Sequence, residues 1–282
     1  MQAKKVSRRK FLIRLGVSAI GLTALDAFGF EPRALELEEP EVSIHGLASA
    51  FDGYRIAILS DFHLPLVSRE FVRRAIDMAN SMKPDIFALP GDFVHGKHKH
   101  IVQFMPSFES FFDGAVAPDG IVGTLGNHDH WMGAKLVRNE IAKHTKIKLI
   151  DNDRIVVRRG GAQLAIGGVG DMWMAAVRPD IAFAGLSDDV PRIMLSHNPD
   201  VAELMEQDVR VDLQLSGHTH GGEIRLPFGP APLIPSKFGN KFREGLVQGK
   251  RNLVYVTRGI ASVSRARLFC RPEVTILTLR CA

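Results

Sequence analysis

Five short blocks of this chain concentrate side chains that bind metals: Asp61-Phe62-His63, Gly91-Asp92, Gly126-Asn127-His128-Asp129, Ser196-His197-Asn198 and Gly217-His218-Thr219-His220. Together they offer enough carboxylate, amide and imidazole donors for two ions side by side. The set contains no thiolate, which suits borderline or hard divalent ions such as Mn²⁺, Fe²⁺ or Zn²⁺ without selecting sharply among them. Two such ions, roughly 3.5–4 Å apart, can clamp phosphoryl oxygens, acidify a bound water and stabilise attacking and leaving oxygens in line. The chemistry to expect is metal-assisted hydrolysis of a phosphate ester, with hydroxide held on the metals as nucleophile. A core that buried so many imidazoles and carboxylates without metal would be badly unsatisfied.

To place these groups at one point, each block must lie at the end of a buried strand, and an apolar run does precede each of them. Residues 55–60 lead to Asp61, 85–90 to Asp92, 120–125 to Asn127, 192–195 to His197 and 211–215 to His218. Open α/β sheets put their sites just past such carboxyl ends. Asp61 and His63 stand two apart, as do His218 and His220, so a slight irregularity at the strand end would aim both members of a pair at one point. Between the runs, residues 68–81 carry Phe71, Val72, Ala75, Ile76 and Ala79 at helical spacing, closed by Pro84. A short helix is expected over about 105–112 with Pro106 in its first turn, another over 134–144, and a third after Asn198-Pro199. Further strands are expected near 41–45, 147–150, 154–158 and 163–166, the last two joined by a tight Gly160-Gly161 turn. That alternation is α/β.

The ordered set D-x-H, G-D, G-N-H-D/E, lone His and G-H-x-H resembles the signature of the calcineurin-like metallophosphoesterase superfamily, and all five blocks occur in that order from Asp61 to His220. The resemblance implies an αββα four-layer sandwich, two mixed sheets flanked by helices, with metals at the strand ends. It implies that Asp61, His63, Asp92 and His220 hold one ion and that Asp92, Asn127, His197 and His218 hold the other, Asp92 bridging. His128 resembles the family histidine that donates to the leaving oxygen or stabilises its charge, a step worth about 10²–10⁴-fold; Asp129 would orient it. Beyond the ligands, residues 221–229, 255–259 and 267–274 resemble the bacterial twin-arginine-exported phosphodiesterase branch, which itself resembles enzymes that split the pyrophosphate of UDP-2,3-diacylglucosamine. Arg258 and Arg267 have two readings there: a bidentate grip on substrate phosphate or internal pairing.

The start of the chain carries a second signal. Ser7-Arg8-Arg9-Lys10-Phe11-Leu12 is a twin-arginine pattern, followed by a moderately apolar stretch over 15–25. Ile13 replaces the usual Lys, and Asp26 interrupts a stretch short of the roughly 20 apolar residues of a membrane span. Residues 1–29 are therefore expected to be an export signal, cut near 27–29 or kept as an anchor, with the twin-arginine translocase as partner. Residues 30–50 read as an acidic spacer and first edge strand, and 51–282 as the catalytic domain, placed outside the cytoplasm. The leader also explains the net charge of +5: it holds six of the 36 Lys and Arg and one of the 31 acids, leaving 30 against 30. That balance argues against a nucleic-acid partner.

The remaining features are weaker. His95, His98 and His100 alternate with lysines and read as a solvated loop near Asp92, with secondary metal binding as the alternative; His130 beside Trp131 reads as packing or cleft lining. His45 and His144 carry no signal. Cys270 reads as buried, and an exported protein could oxidise it with Cys281. The Pro- and Gly-rich apolar loop over 226–239 is either a lid or lipid-touching surface, or it packs back on the sandwich. Four functions compete: a dinuclear phosphodiesterase or phosphohydrolase, a UDP-2,3-diacylglucosamine pyrophosphate hydrolase acting on a lipid-linked substrate, a nuclease, and a non-catalytic scaffold.

Overall fold

Most strands of this chain are apolar at consecutive positions, the pattern of a sheet covered on both faces, and the computed structural model shows what covers them. It describes residues 7–96, 104, 107–205, 208–227 and 229–282; Met105, Pro106, His98, His100 and Phe228 lie outside these. The chain begins with α1 (Arg8–Leu25), β1 (Glu36–Glu38), β2 (Glu41–Ile44), β3 (Arg55–Ile58), α2 (Arg69–Ser81), β4 (Ile86–Leu89), α3 (Glu109–Phe112) and β5 (Ile121–Gly123). The middle holds α4 (Asn127–His144), β6 (Ile147–Leu149), β7 (Asp153–Arg159), β8 (Ala162–Gly168), α5 (Pro179–Ala182), β9 (Arg192–Leu195) and α6 (Val201–Leu204). The last part adds β10 (Leu213–Ser216), β11 (Gly245–Gln248), β12 (Leu253–Val256) and β13 (Glu273–Cys281).

Two mixed sheets result. The first runs β1-β13-β3-β4-β5-β6, with β2 also on β13; the second runs β11-β12-β10-β9-β8-β7. Side chains alternate across them with period two. Ile56, Ile58, Ile86 and Ala88 face Leu164, Ile166, Ile193, Leu195, Leu213 and Leu215 of the other sheet. Ala57, Leu59, Phe87 and Leu89 turn the other way, onto Val72, Ala75, Ile76 and Ala79 of α2 and Val137 and Ile141 of α4. Ala165 and Met194 do the same under the short α5 and α6. The four-layer sandwich is thus present, with one core between the sheets and another under the helices on each outer face.

Local chemistry accounts for the helix limits. The Ser68 hydroxyl accepts from the Phe71 amide (3.1 Å), capping α2 where the sequence starts that helix. The helix expected over 134–144 begins earlier, at Asn127, because Asp129 caps it through the Gly126 amide (2.9 Å), and it kinks at Gly133, whose φ of 108° no helix accommodates. The β7–β8 hairpin turns on Gly160 and Gly161 as expected. By length and composition alone, the helical segment Arg8–Arg33 is long and apolar enough to cross a membrane, a test that an N-terminal signal sequence passes equally.

Candidate metal centre

Every block of the sequence set emerges from the end of a strand. β3 delivers Asp61 and His63, β4 delivers Asp92, β5 delivers Asn127, β9 delivers His197, and β10 delivers His218 and His220. The irregularity expected at these ends is a left-handed backbone at Asp61 (φ 56°), His63 (43°), Asp92 (56°), His218 (71°) and His220 (51°). Non-glycine residues enter that region at a cost, and do so mostly at functional sites. Hydrogen bonds hold them there. Asp61 N donates to Gly91 O (3.1 Å) and His63 N to Asp92 O (3.0 Å). His218 N donates to both Asp61 oxygens (3.1 and 3.2 Å), stitching the second sheet to the first. The loops also approach closely: a Cβ on Gly126 or Gly217 would overlap the Asp92 or Asp61 carboxylate.

The side chains converge in two groups that share one carboxylate. Asp92 Oδ2 lies 3.2 Å from His197 Nε2 and 3.5 Å from His63 Nε2. Around the first group, His63 Nε2 stands 3.0 Å from His220 Nε2, which is 3.4 Å from Asp61 Oδ1. Around the second, His197 Nε2 stands 3.1 Å from Asn127 Oδ1 and 3.2 Å from His218 Nδ1. Asp61, His63 and His220 form one set of donor atoms able to hold an ion, and Asp61, Asp92 and His197 another. Ring nitrogens facing ring nitrogens and carboxylates at such distances cannot all be satisfied by shared protons. Nitrogen and oxygen donors gathered in this way fit divalent cations.

The electrostatics agree with that fit. Burial holds His63 well below its ordinary value and His218 down at about 3, so both present lone pairs. Burial raises Asp61. Burial alone would also raise Asp92, but the His197 and His63 imidazoles outweigh it and hold this carboxyl well below the carboxylate range. The same pairing, working against burial, lifts His197 to about 10. The Asp92 and His197 shifts are thus opposite in direction, as expected of a close carboxylate–imidazole pair.

The calcineurin-like phosphoesterase family matches residues 54–222, more than half of the chain and every block above. This chain is a calcineurin-like phosphoesterase. It is 32% identical to "Uncharacterized metallophosphoesterase YkuE" of Bacillus subtilis (strain 168), over 98% of this chain and 99% of that one. It is equally 32% identical to "Phosphodiesterase YaeI" of Escherichia coli (strain K12), over 97% and 99%. A third relative, 26% identical over 93% and 94%, is "UDP-2,3-diacylglucosamine pyrophosphatase LpxG" of Chlamydia muridarum. Among solved structures, the Haemophilus influenzae NAD nucleotidase NadN shares the fold, with TM-score 0.52 and 14% identity over 74% of this chain and 45% of that one.

Around the centre of this phosphoesterase lie groups that the sequence marks faintly or not at all. His128 sits in a row of rings: His63 at 4.6 Å, His95 stacked at 4.7 Å, and Trp131 at 4.5 Å. Burial lowers its imidazole to about 4. Asp129 accepts from Val94 N (3.0 Å) and Gly126 N (2.9 Å), tying the second block to the third, and burial raises it to about 8. His95, read above as part of a solvated loop, is half-buried against the site, and with His63 and His128 it forms a further donor set. Its signal was its place three residues after Asp92. On the other side, Trp173 meets the His218 ring at 4.5 Å, held by its own amide and that of Met174, which both donate to buried Asp171 (3.0 Å). Trp131 and Trp173, the two tryptophans of the chain, are each about half exposed and flank the centre from opposite sides. Glu223 accepts from the Val263 and Ser264 amides and stands 3.4 Å from His220. His130 is half-buried against this region, with no hydrogen-bond partner for Nε2 among the described residues.

Arg258 and Arg267 serve the phosphoesterase internally. Arg267 is wholly buried, and its guanidinium donates to the carbonyls of Arg258, Gly259, Ala261 and Cys270. Arg258 pairs with Glu36, Glu38, Glu244 and Glu273. Neither reaches for substrate. The two thiols are free: Cys270 donates to His220 O and Cys281 to Leu47 O, each 3.2 Å away. The loop over 226–239 is fastened back on the sandwich. Asp200 holds Ser236 and Lys237, and Asn240 holds Ala231, while Leu226 and Leu233 stay exposed.

Proposed function

We propose that Asp61, His63, Asp92, Asn127, His197, His218 and His220 hold two divalent ions in this metallophosphoesterase, with Asp92 between them, and that its reaction is the hydrolysis of a phosphodiester or pyrophosphate. The observation that carries this is the Asp92 carboxylate shared by the His63 and His197 groups. When bound, the ions supply Lewis-acid stabilisation of phosphoryl oxygens and an acidified water; Mn²⁺, Fe²⁺ and Zn²⁺ all suit the donor set. An oxygen from water bonds to phosphorus as the bond to the leaving oxygen breaks. His128, in the ring row beside His63, is placed to give that oxygen its proton, and the negative charge of an arriving phosphoryl group would raise its low pKa towards the working range. Asp129 keeps His128 in register through the Gly126 cap. The half-exposed indoles of Trp131 and Trp173 shield the flanks from water.

The protein is further proposed to be exported by the twin-arginine translocase and kept at the extracytoplasmic face of the membrane by residues 1–29, with the spacer and 51–282 as one catalytic unit. Pairing of β1 and β2 with β13 supports counting the spacer with that unit. Burial of Ala27, whose carbonyl accepts from Arg267 N (2.9 Å), favours retention of the helix over cleavage near 27–29. The exposed side chains of Leu226, Leu233 and Phe269, with the relative named as a UDP-2,3-diacylglucosamine pyrophosphatase, favour a second reading in which the substrate is lipid-linked. The balanced charge outside the leader gives a nuclease no support.

The test is metal add-back. Metal-depleted protein receives Mn²⁺, Zn²⁺ or Mg²⁺ and is offered a chromogenic monoester, a chromogenic diester and UDP-2,3-diacylglucosamine, with Asp92→Ala as control. Metal-dependent turnover abolished in Asp92→Ala is expected, and the preferred bond ranks the two readings. Equal turnover in Asp92→Ala would sink the assignment.

A further inference from the structure

A cavity of about 660 Å³ separates the foot of the N-terminal helix from the first ligand loop. Phe28 and Arg33, just past α1, form one wall; Leu66 forms another; Phe71 and Arg74 of α2 and Arg265 complete it. It borders the metal centre on two sides. Leu66 N donates to His63 O (2.8 Å). Ser262, also in the wall, directly follows Ala261, whose carbonyl lies 3.3 Å from His220 Nδ1. The opposite side borders the segment long and apolar enough for a membrane, which ends at Arg33.

The lining is amphipathic in a specific way. Phe28, Leu66 and Phe71 are apolar, yet three arginines, Arg33, Arg74 and Arg265, line the same cavity against a single acid, Glu70. Arg33 spends itself on the carbonyls of Phe28 and Gly29. Arg74 lies over the Phe71 ring at 5.6 Å, and the helix's Asp77 pairs with its neighbour Arg73 instead. Arg265 is also held in a left-handed backbone (φ 62°), in the loop that follows the His220 contact. Guanidiniums grip phosphate-type oxygens through paired donors, while apolar walls reward methylenes. A small phosphorylated metabolite would use only the first of these, and a neutral lipid only the second.

We propose that this cavity takes the chain-bearing end of a membrane-resident anionic phospholipid-type substrate, with Arg74 and Arg265 on the oxygens at the junction of headgroup and chain, so that the phosphoester enters the metal centre from the bilayer side. The proposal rests on the hydrolase reading above and narrows its substrate class. Burial of Glu31, which accepts from Cys270 N, fixes the foot of the helix to the segment bonded to His220 O. The bilayer and the metal centre therefore keep one distance, set by the cavity between them.

The test uses the full chain in neutral detergent micelles, metal-free for binding and metal-loaded for turnover. Fluorescent phosphatidylglycerol and phosphatidylcholine are titrated by anisotropy, and turnover of phosphatidylglycerol is compared with that of the soluble chromogenic diester. Wild type is expected to prefer the anionic lipid. Arg74→Glu with Arg265→Glu should weaken its binding by about tenfold or more, taking each cation near a lipid surface at roughly its usual worth, and lower the lipid-to-diester turnover ratio similarly. The alanine pair replaces the glutamate pair if the latter does not fold. Equal binding by variant and wild type, or no preference for the anionic lipid, overturns the proposal. So does lipid that binds without competing with the soluble diester, since that would mark bilayer docking and not substrate binding. Absence of turnover on both substrates with anionic binding intact refutes the hydrolase reading instead.

Discussion

Gly217→Ala separates the metal site from the fold that carries it. The added Cβ would lie well inside contact distance of Asp61 Oδ2 and Ser60 Oγ, where ordinary contact begins at 3.4 Å. Gly217 is outside the left-handed region, so the cost is purely steric. Ser60 is buried and cannot yield easily, so the Asp61 carboxylate must retreat by about 1 Å, a displacement that at a reacting centre can cost roughly 10²-fold in rate. Its bonds from His218 N would lengthen with it. Gly167→Ala is the matched control: there the Cβ would meet the buried Phe183 ring at 2.6 Å, under α5 and away from every ligand. Both overpack a core and should lose about 1–3 kcal/mol, readable as a Tm drop of roughly 2–4 °C per kcal/mol. Only Gly217→Ala should also lose metal and fall about a hundredfold in kcat on the chromogenic diester. Metal content per chain after dialysis, thermal unfolding and kcat give the three readings. Full metal and wild-type kcat in Gly217→Ala, or equal metal loss in Gly167→Ala, would refute the assignment of Asp61.

Arg258→Ala should lower stability by about 3–5 kcal/mol, because it leaves buried Glu273 beside Glu244 without its cation; thermal unfolding within about 1 kcal/mol of wild type would show that the network contributes little. Glu244 is held below its ordinary value chiefly because Arg225 and Arg258 outweigh the opposing effect of burial, so its contribution is full above the unfolded glutamate value of about 4.3 and is lost as pH falls through the lower folded one. Glu244→Gln should therefore be less stable at neutral pH and show a shallower acid limb; parallel stability–pH curves would contradict that sign. Because the only tryptophans flank His128 and His218, Mn²⁺ loading should quench intrinsic fluorescence in both Trp131→Phe and Trp173→Phe. Emission that ignores Mn²⁺ in either variant would place its remaining indole away from the ions.

The convergence of the candidate ligands was legible because each one is local: an apolar run of four to six residues, then the donor, so that spacing along the chain carries the geometry. What stayed hidden was set by distant partners. β1, with the sequence Glu36-Leu37-Glu38, reads as acidic spacer and becomes a strand only because β13 pairs with it from the other end of the chain. β13 itself closes the first sheet antiparallel to β3, a register that no short-range pattern announces. Arg258 invites a phosphate in the sequence, but its partners Glu36 and Glu38 lie more than two hundred residues away. His95 is ambiguous for a related reason: alternation with lysine resembles a solvated loop, and only its stacking on His128 favours the alternative of a donor near the site.

The same long-range pairing explains how strain at the centre is sustained. Left-handed backbone at five non-glycine residues costs about 1–3 kcal/mol at each, more than loose loops would tolerate. The loops here are not loose. The first block is bonded to the second by Asp61 N and His63 N, and to the fifth through His218 N. Ile260 N and Ala261 N return from the far end of the chain to Ser60 O and Asp61 O (2.9 Å each). Arg267 then fastens that returning segment by its carbonyls and, through Ala27, to the foot of the N-terminal helix. Sheet ends, candidate ligands and the foot of the N-terminal helix thus share one hydrogen-bonded seam, so a chain cut free of that helix would lose a support of the site.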